Sequence, residues 1–281
     1  MKINLAKSAG FCFGVERAIK IASETARLKK NVLMLGDIVH NEKVIEMITR
    51  AGIKKIKRLS RGEDKILLIR AHGTSLKTIT KAKKLGYKIV DATCPMVKEI
   101  HRIVKTMEKE GCRIIIIGDK RHEEVSGIIG QLKGKALVIE NEKDIALKKI
   151  KRFKKACVVV QSTQNIDKVK KIVDFLRTFI TNLKFFNTIC RTTRIKQQEI
   201  KLMPLNNQVM IIIGSKNSAN TKRLYEISKS LNPRTYWVQS HKDLKEAWFK
   251  DITEVGVTAG ASTPDITTRQ VIAKIKKINK T

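Results

Sequence analysis

The sequence predicts an α/β fold made of three related β-α-β-α-β lobes set about a pseudo-threefold axis, with their strand ends meeting in one central pocket. Three observations lead there. Three strand-like segments each run into a Cys and then a helix-like segment. Three aliphatic strands end in Gly and a polar turn at a fixed distance beyond each Cys. Strands alternate with helix-length stretches along the whole chain. Such alternation reads as parallel α/β units, and a recurring register reads as an internal repeat.

The first strands are 3–6 before Gly10-Phe11-Cys12-Phe13-Gly14, 89–91 before Ala92-Thr93-Cys94-Pro95, and 183–186 before Thr188-Ile189-Cys190-Arg191. The second are 32–35 before Gly36-Asp37-Ile38-Val39-His40-Asn41, 114–117 before Gly118-Asp119-Lys120-Arg121-His122, and 209–213 before Gly214-Ser215-Lys216-Asn217-Ser218. Cys12 to Gly36, Cys94 to Gly118 and Cys190 to Gly214 are each 24 residues apart, a coincidence that five Cys in 281 residues do not produce by chance. The third strands end in Ala71-His72-Gly73, Gln161-Ser162-Thr163 and Ala259-Gly260-Ala261-Ser262-Thr263. Aligning His72, Ser162 and Ser262 gives offsets of 60, 68 and 72 from the Cys. The lobes then span 1–93, 94–189 and 190–281, with the N-terminal strand free to belong spatially to the third. Carboxyl ends of parallel strands meet helix N-termini, which is where open α/β sheets place ligands.

Composition bounds the function. At 281 residues and 42% apolar the chain can bury a substantial core, and it is neither collagen-like, nor a disulfide scaffold, nor low-complexity. Apolar runs such as Ile114-Ile115-Ile116-Ile117 are too short to span a bilayer. Met1-Lys2-Ile3-Asn4-Leu5-Ala6-Lys7 has no apolar signal-peptide core, which predicts a cytoplasmic protein with reduced thiols and no membrane partner. The net charge of +33 suggests an anionic partner or substrate. The basic residues are spread along the chain, however, and no aromatics interleave with the clusters 54–58 and 148–155 to stack bases. Solvated helix faces are therefore expected, rather than a nucleic-acid footprint.

The recurring residues suggest chemistry. Three thiols, each at a helix N-terminus that lowers its pKa, can hold a metal with one coordination position open, either zinc with a water or an iron–sulfur cluster. Cys112 and Cys157 lie in aliphatic stretches and read as packing. His40, His72, His122, Ser218, Asn220 and Ser262 follow strand ends and together describe a phosphate or diphosphate site. Ser218 and Asn220 can also cap the following helix. His101 and His241 read as structural. Glu124 is either a first-turn helix acid or the carboxyl of the pocket.

These motifs resemble one family over essentially the whole chain. Ala9-Gly10-Phe11-Cys12-Phe13-Gly14-Val15, Val39-His40-Asn41, Ala71-His72-Gly73, Asp91-Ala92-Thr93-Cys94-Pro95, Gly214-Ser215-Lys216-Asn217-Ser218 and Thr258-Ala259-Gly260-Ala261-Ser262 are similar to the 4-hydroxy-3-methylbut-2-enyl diphosphate reductases, the LytB/IspH family. The resemblance implies three lobes around a central, oxygen-sensitive [4Fe–4S] cluster, one per chain, with one iron lacking a Cys ligand. It implies an iron–sulfur oxidoreductase for the last step of the methylerythritol phosphate route to isoprenoids. There an allylic hydroxyl is removed reductively to give isopentenyl and dimethylallyl diphosphate, with ferredoxin or flavodoxin as electron donor. Position by position, Cys12, Cys94 and Cys190 match the cluster ligands. His40, His72, His122, Ser218, Asn220 and Ser262 match the diphosphate site. Glu124 matches the proton-delivering acid and Ser162 its hydroxyl relay; His122 counts with these two as catalytic, and His122, Ser162 and Thr163 count among the groups that bind substrate.

The chain departs from the family pattern at His122-Glu123-Glu124-Val125 for His-Pro-Glu-Val and at Gln161-Ser162-Thr163 for Gln-Thr-Thr. It also departs at Asn217-Ser218-Ala219-Asn220 for Asn-Ser-Ser-Asn and at Cys190-Arg191-Thr192-Thr193 for Cys-x-Ala-Thr. Pro204 should interrupt the helix that follows Cys190. The runner-up reading is a Cys₃-zinc hydrolase of a phosphorylated substrate. A nucleic-acid-binding module is the third.

Overall fold

In a computed structural model, which describes residues 1–278, the chain forms three parallel four-stranded sheets with alternating helices. Strand β1 (Lys2–Leu5) and helix α1 (Phe13–Leu28) flank the first Cys turn. There follow β2 (Val32–Leu35), α2 (Glu42–Arg50), β3 (Lys54–Ile56), β4 (Ile66–Ile69), α3 (Leu76–Lys84) and β5 (Lys88–Asp91). Helix α4 (Pro95–Lys109) leads to β6 (Arg113–Ile117), α5 (Glu123–Ile129), β7 (Leu137–Ile139), α6 (Leu147–Ile150), β8 (Lys155–Val160), α7 (Ile166–Arg177) and β9 (Asn182–Phe185). Helix α8 (Arg191–Leu202) leads to β10 (Val209–Ile213), α9 (Ala219–Leu231), β11 (Thr235–Val238), β12 (Glu254–Ala259) and α10 (Asp265–Ile278).

The three sheets share one strand order: β5-β4-β2-β3, β9-β8-β6-β7 and β1-β12-β10-β11. In each, the strand that precedes a Cys lies at the outer edge, beside the third strand of its sheet. The repeat therefore closes on itself. Strand β1 pairs in parallel with β12, Lys2 opposite Glu254 and Leu5 opposite Val257, so the N-terminal strand belongs to the last sheet. Each sheet also has a short fourth strand, β3, β7 or β11, which the β-α-β-α-β reading left within the connections.

The inner strands are continuous aliphatic runs because both of their faces are covered. Ile115, Ile116 and Ile117 on β6 are fully buried, as are Ile211, Ile212 and Ile213 on β10. Each such side chain contributes roughly 1.5–3 kcal/mol relative to exposure. Helices α7 and α10 supply the facing layers through Ile172 and Leu176, and through Val271 and Ile275. Cys157 is buried within β8, and Cys112, one residue before β6, is buried too. Burial pushes the Cys157 thiol up to about 12, which leaves it inert. Helix α8 stops at Leu202 and gives way to a 3-10 turn, Met203–Leu205, at the proline expected to break it.

The chain divides into two compact units. One comprises Met1–Glu16, Val39–Met47 and the chain from Arg191 onward, and holds the sheet of β1, β10, β11 and β12. The other comprises Arg17–Ile38 and Ile48–Cys190, and holds the other two sheets.

Candidate active site

Each of the three repeat cysteines stands immediately before a helix, α1, α4 or α8. Each donates its backbone N–H to the turn that ends a third strand: Cys94 to the Ala71 carbonyl at 3.0 Å, Cys190 to that of Ser162 at 3.0 Å, and Cys12 to that of Ala261 at 3.1 Å. These bonds define the structural register. Ala71, Ser162 and Ala261 are equivalent, and so are His72, Thr163 and Ser262. The sequence offsets set Ser162 opposite His72; the structure moves the middle member by one residue, so Thr163 takes that place.

In the larger unit, Cys94 is the N-cap of α4, with Pro95 at the first helical position, and the backbone N–H groups of Met96 and Val97 are directed at its sulfur. The expected lowering of its pKa does not occur. Burial raises the Cys94 thiol, outweighing those N–H groups, and the nearby Cys190 and Glu124 raise it further. Cys94, Cys190 and Glu124 thus share one electrostatic neighbourhood within this unit. A metal cation would reverse the balance by holding the thiolate.

Glu124 is the second residue of α5 and only 1% exposed. Its Oε1 accepts from the Ser162 N–H at 2.6 Å and its Oε2 from the Ser162 hydroxyl at 2.8 Å. Burial raises its pKa, the two Ser162 bonds oppose that, and Asp119 adds to the rise. The helix-first-turn and pocket readings of Glu124 therefore hold together: it is a first-turn residue whose carboxyl is turned inward and biased toward keeping its proton.

His122 is the N-cap of the same helix. Its Nδ1 accepts from the Glu124 N–H at 3.1 Å, so the neutral ring carries its proton on Nε2, a donor suited to an anion. The His72 ring meets that of His122 edge-on at 5.4 Å. Thr163 accepts from the Gln161 side chain at 3.1 Å. Glu123 forms an ion pair with Arg70 and lies 3.8 Å from His72 Nδ1. Gly36, at φ +85°, admits this pair, since a Cβ there would collide with the Arg70 guanidinium. Sequence reasoning missed Arg70; its place just before Ala71-His72-Gly73 was the available signal.

In the smaller unit the same design recurs with neutral groups. Ser218 is the N-cap of α9 and accepts from the Thr221 N–H, which leaves its hydroxyl proton to donate elsewhere. Asn220 occupies the second helical position, as Glu124 does in α5. Its Oδ1 accepts from the Ala261 N–H at 3.0 Å, as Glu124 accepts from Ser162, the residue equivalent to Ala261. Among the described residues the buried Nδ2 of Asn220 has no partner, which makes it a donor for a ligand. Ser262 is buried and donates to the His40 carbonyl at 3.0 Å. His40 itself precedes Asn41, whose Oδ1 accepts from the Val44 N–H at the start of α2. His101 is buried under Gly73, its pKa lowered to about 4 chiefly by burial, consistent with a structural role. His241 lies in a 3-10 turn.

Among the described residues no helix is long and apolar enough to cross a membrane. The sequence model of the LytB protein family matches residues 3–276. A 4-hydroxy-3-methylbut-2-enyl diphosphate reductase of Geotalea uraniireducens is 39% identical over 280 residues, covering 100% of this chain and 99% of the relative. One of Aquifex aeolicus is 38% identical, covering 98% and 96%. The fold is similar to a solved structure of (E)-4-hydroxy-3-methyl-but-2-enyl diphosphate reductase, the terminal enzyme of the non-mevalonate pathway, with TM-score 0.72, 38% identity, and coverage of 99% of this chain and 100% of that one. It is also similar to the Plasmodium falciparum E-1-hydroxy-2-methyl-but-2-enyl-4-diphosphate reductase, with TM-score 0.89, 29% identity, and coverage of 96% and 86%.

Proposed function

The chain belongs to the LytB protein family, and from that premise we propose the roles of its individual residues. The protein is an oxidoreductase that reductively dehydroxylates 4-hydroxy-3-methylbut-2-enyl diphosphate to isopentenyl and dimethylallyl diphosphate, the terminal step of the non-mevalonate pathway. The names of its relatives favour this reaction over zinc-dependent hydrolysis.

Family membership implies an iron–sulfur cofactor. In our reading it is a single [4Fe–4S] cluster held by Cys12, Cys94 and Cys190, with one iron lacking a Cys ligand. The donor set fits: all three thiols sit at helix starts, and the burial that disfavours a bare Cys94 thiolate suits a metal-bound one. When bound, the cluster supplies one-electron reduction and Lewis acidity.

The chain's own residues do the rest. His40, His72, His122, Thr163, Ser218, Asn220 and Ser262 hold the diphosphate, through imidazole Nε2–H, hydroxyl and amide donors. The unpartnered Asn220 Nδ2 supports that assignment. Glu124 delivers a proton to the departing oxygen, with the Ser162 hydroxyl as its relay. The observation that carries this assignment is the buried Glu124–Ser162 contact. Two electrons and two protons enter, and one water leaves.

Lobes spanning 1–93, 94–189 and 190–281, with β1 joined to the third, belong to the same proposal; residues 279–281 lie outside the described chain. Ferredoxin or flavodoxin as donor suits the +33 charge, since both are acidic. A cytoplasmic location, without membrane or nucleic-acid partners, completes the reading. The test is anaerobic iron and sulfide analysis with turnover from a chemical one-electron donor. A colourless, zinc-loaded protein that hydrolyses phosphorylated substrates would refute it.

A further inference from the structure

Lys196 lies on α8 and is 1% exposed. Lysines almost never bury completely unless their ammonium is satisfied. Here the ammonium donates to the carbonyl of Ser8 and to that of Ala259 at 3.0 Å. Three residues further along the same helix face, Glu199 accepts from the Ser8 N–H at 3.1 Å and from the Ser8 hydroxyl. Ser8 is thereby gripped at its N–H, its carbonyl and its side chain by one helix. The grip continues toward the candidate ligand. The Ala259 carbonyl that receives Lys196 also accepts from Gly10 N–H at 3.4 Å, and two residues on, Ala261 accepts from Cys12 N–H. Lys196 therefore joins the end of β12 to the turn that carries Cys12, and all of these contacts lie within the smaller unit.

We propose that Lys196, assisted by Glu199, is a positioning residue that fixes the Cys12 turn so that its thiol can serve as a cofactor ligand. This rests on the iron–sulfur reading above. A neutral or smaller side chain at 196 would leave the Ser8 and Ala259 carbonyls without their shared donor and free the turn between residues 6 and 12.

The experiment uses the full chain, reconstituted anaerobically, as wild type, Lys196→Met and Glu199→Gln. Two quantities are read: the rate at which an iron chelator bleaches the cluster's visible absorption, and the initial rate of iodoacetamide labelling at each cysteine, resolved by mass spectrometry. Loss of two charge-assisted bonds should make bleaching of Lys196→Met about ten-fold faster, with a smaller effect in Glu199→Gln. In both variants Cys12 should be labelled ahead of Cys94 and Cys190. Bleaching at the wild-type rate, or labelling of all three thiols together, would overturn the proposal. If circular dichroism shows that Lys196→Met does not fold, Glu199→Gln, which preserves side-chain size, decides by the same readouts. A wild-type protein that takes up no iron and sulfide would overturn the cofactor reading, and this proposal with it.

Discussion

Replacing Glu124 by Gln isolates the proton from everything else the side chain does. The carboxyl makes two short contacts, both with Ser162. A Gln amide oxygen can still accept from the Ser162 N–H, and its NH₂ can donate to the Ser162 hydroxyl, so α5 and the turn after β8 should keep their spacing. What disappears is an ionisable proton. General acid catalysis is worth about 10²–10⁴-fold, and that loss should fall on kcat, with the Kd of the substrate nearly unchanged. Stability should move the other way. Burial raises the folded-state pKa of Glu124 above its unfolded value. The wild type therefore loses stability as pH rises from the unfolded carboxylate range through the folded value, whereas the variant has no such group. Its stability relative to wild type should improve with rising pH and show least benefit in acid. The assays are anaerobic steady-state turnover with a chemical reductant, substrate calorimetry, and denaturation across pH. Near-normal kcat with a wild-type pH profile would refute the role of Glu124 and direct attention to Glu123.

Cys12→Ser, Cys94→Ser and Cys190→Ser should each abolish turnover and lower bound iron and sulfide, while Cys112→Ser and Cys157→Ser should retain both; equal loss in Cys157→Ser would break the ligand assignment. Ala219→Ser restores a hydroxyl at the first residue of α9, between Ser218 and Asn220, and should lower the KM by about ten-fold at most; unchanged KM and Kd would show that the position does not face substrate. Glu123→Pro places proline at the first position of α5, where it is tolerated, but removes the partner of Arg70. Because the pair is partly exposed, the chain should lose about 1–2 kcal/mol in denaturant unfolding, and an unchanged midpoint would show that the ion pair contributes nothing.

Features set by local patterning were legible in the sequence. Aliphatic runs followed by Gly turns fell on β2, β6 and β10, because buried parallel strands demand such runs. The invariant spacing from Cys to Gly reflects one helix and one strand of similar length in every repeat. The short strands β3 and β7 were not legible: β3 is Lys54-Lys55-Ile56 and β7 is Leu137-Val138-Ile139, each too short to show an alternating pattern. The one-residue shift at Ser162 was hidden because loop lengths had drifted and only backbone hydrogen bonds fix equivalence. Individual side chains at the site divide in the same way. Ser218 announces itself as a cap before a helix, whereas the capping role of His122 and the reach of Glu124 to a residue 38 positions away emerge only from the fold. Lys196 looks like one more basic helix residue. Its clue was its place in the buried stripe of Thr193, Gln197 and Ile200, a face that a solvated lysine would not occupy.

The pairing of β1 with β12 orders events during synthesis. The strands of the first two sheets come from the contiguous stretches 32–91 and 113–185, so each sheet can close soon after its own residues leave the ribosome. The remaining sheet needs residues 2–5 to wait for residues 254–257, the kind of distant pairing that slows folding. The turn bearing Cys12 takes its backbone partners from Ala259 and Ala261, so it has no fixed place until nearly the whole chain is made. A nascent or truncated polypeptide short of β12 offers a settled position for two of the three thiols only. The first cysteine to be synthesised is thereby the last to be put in place.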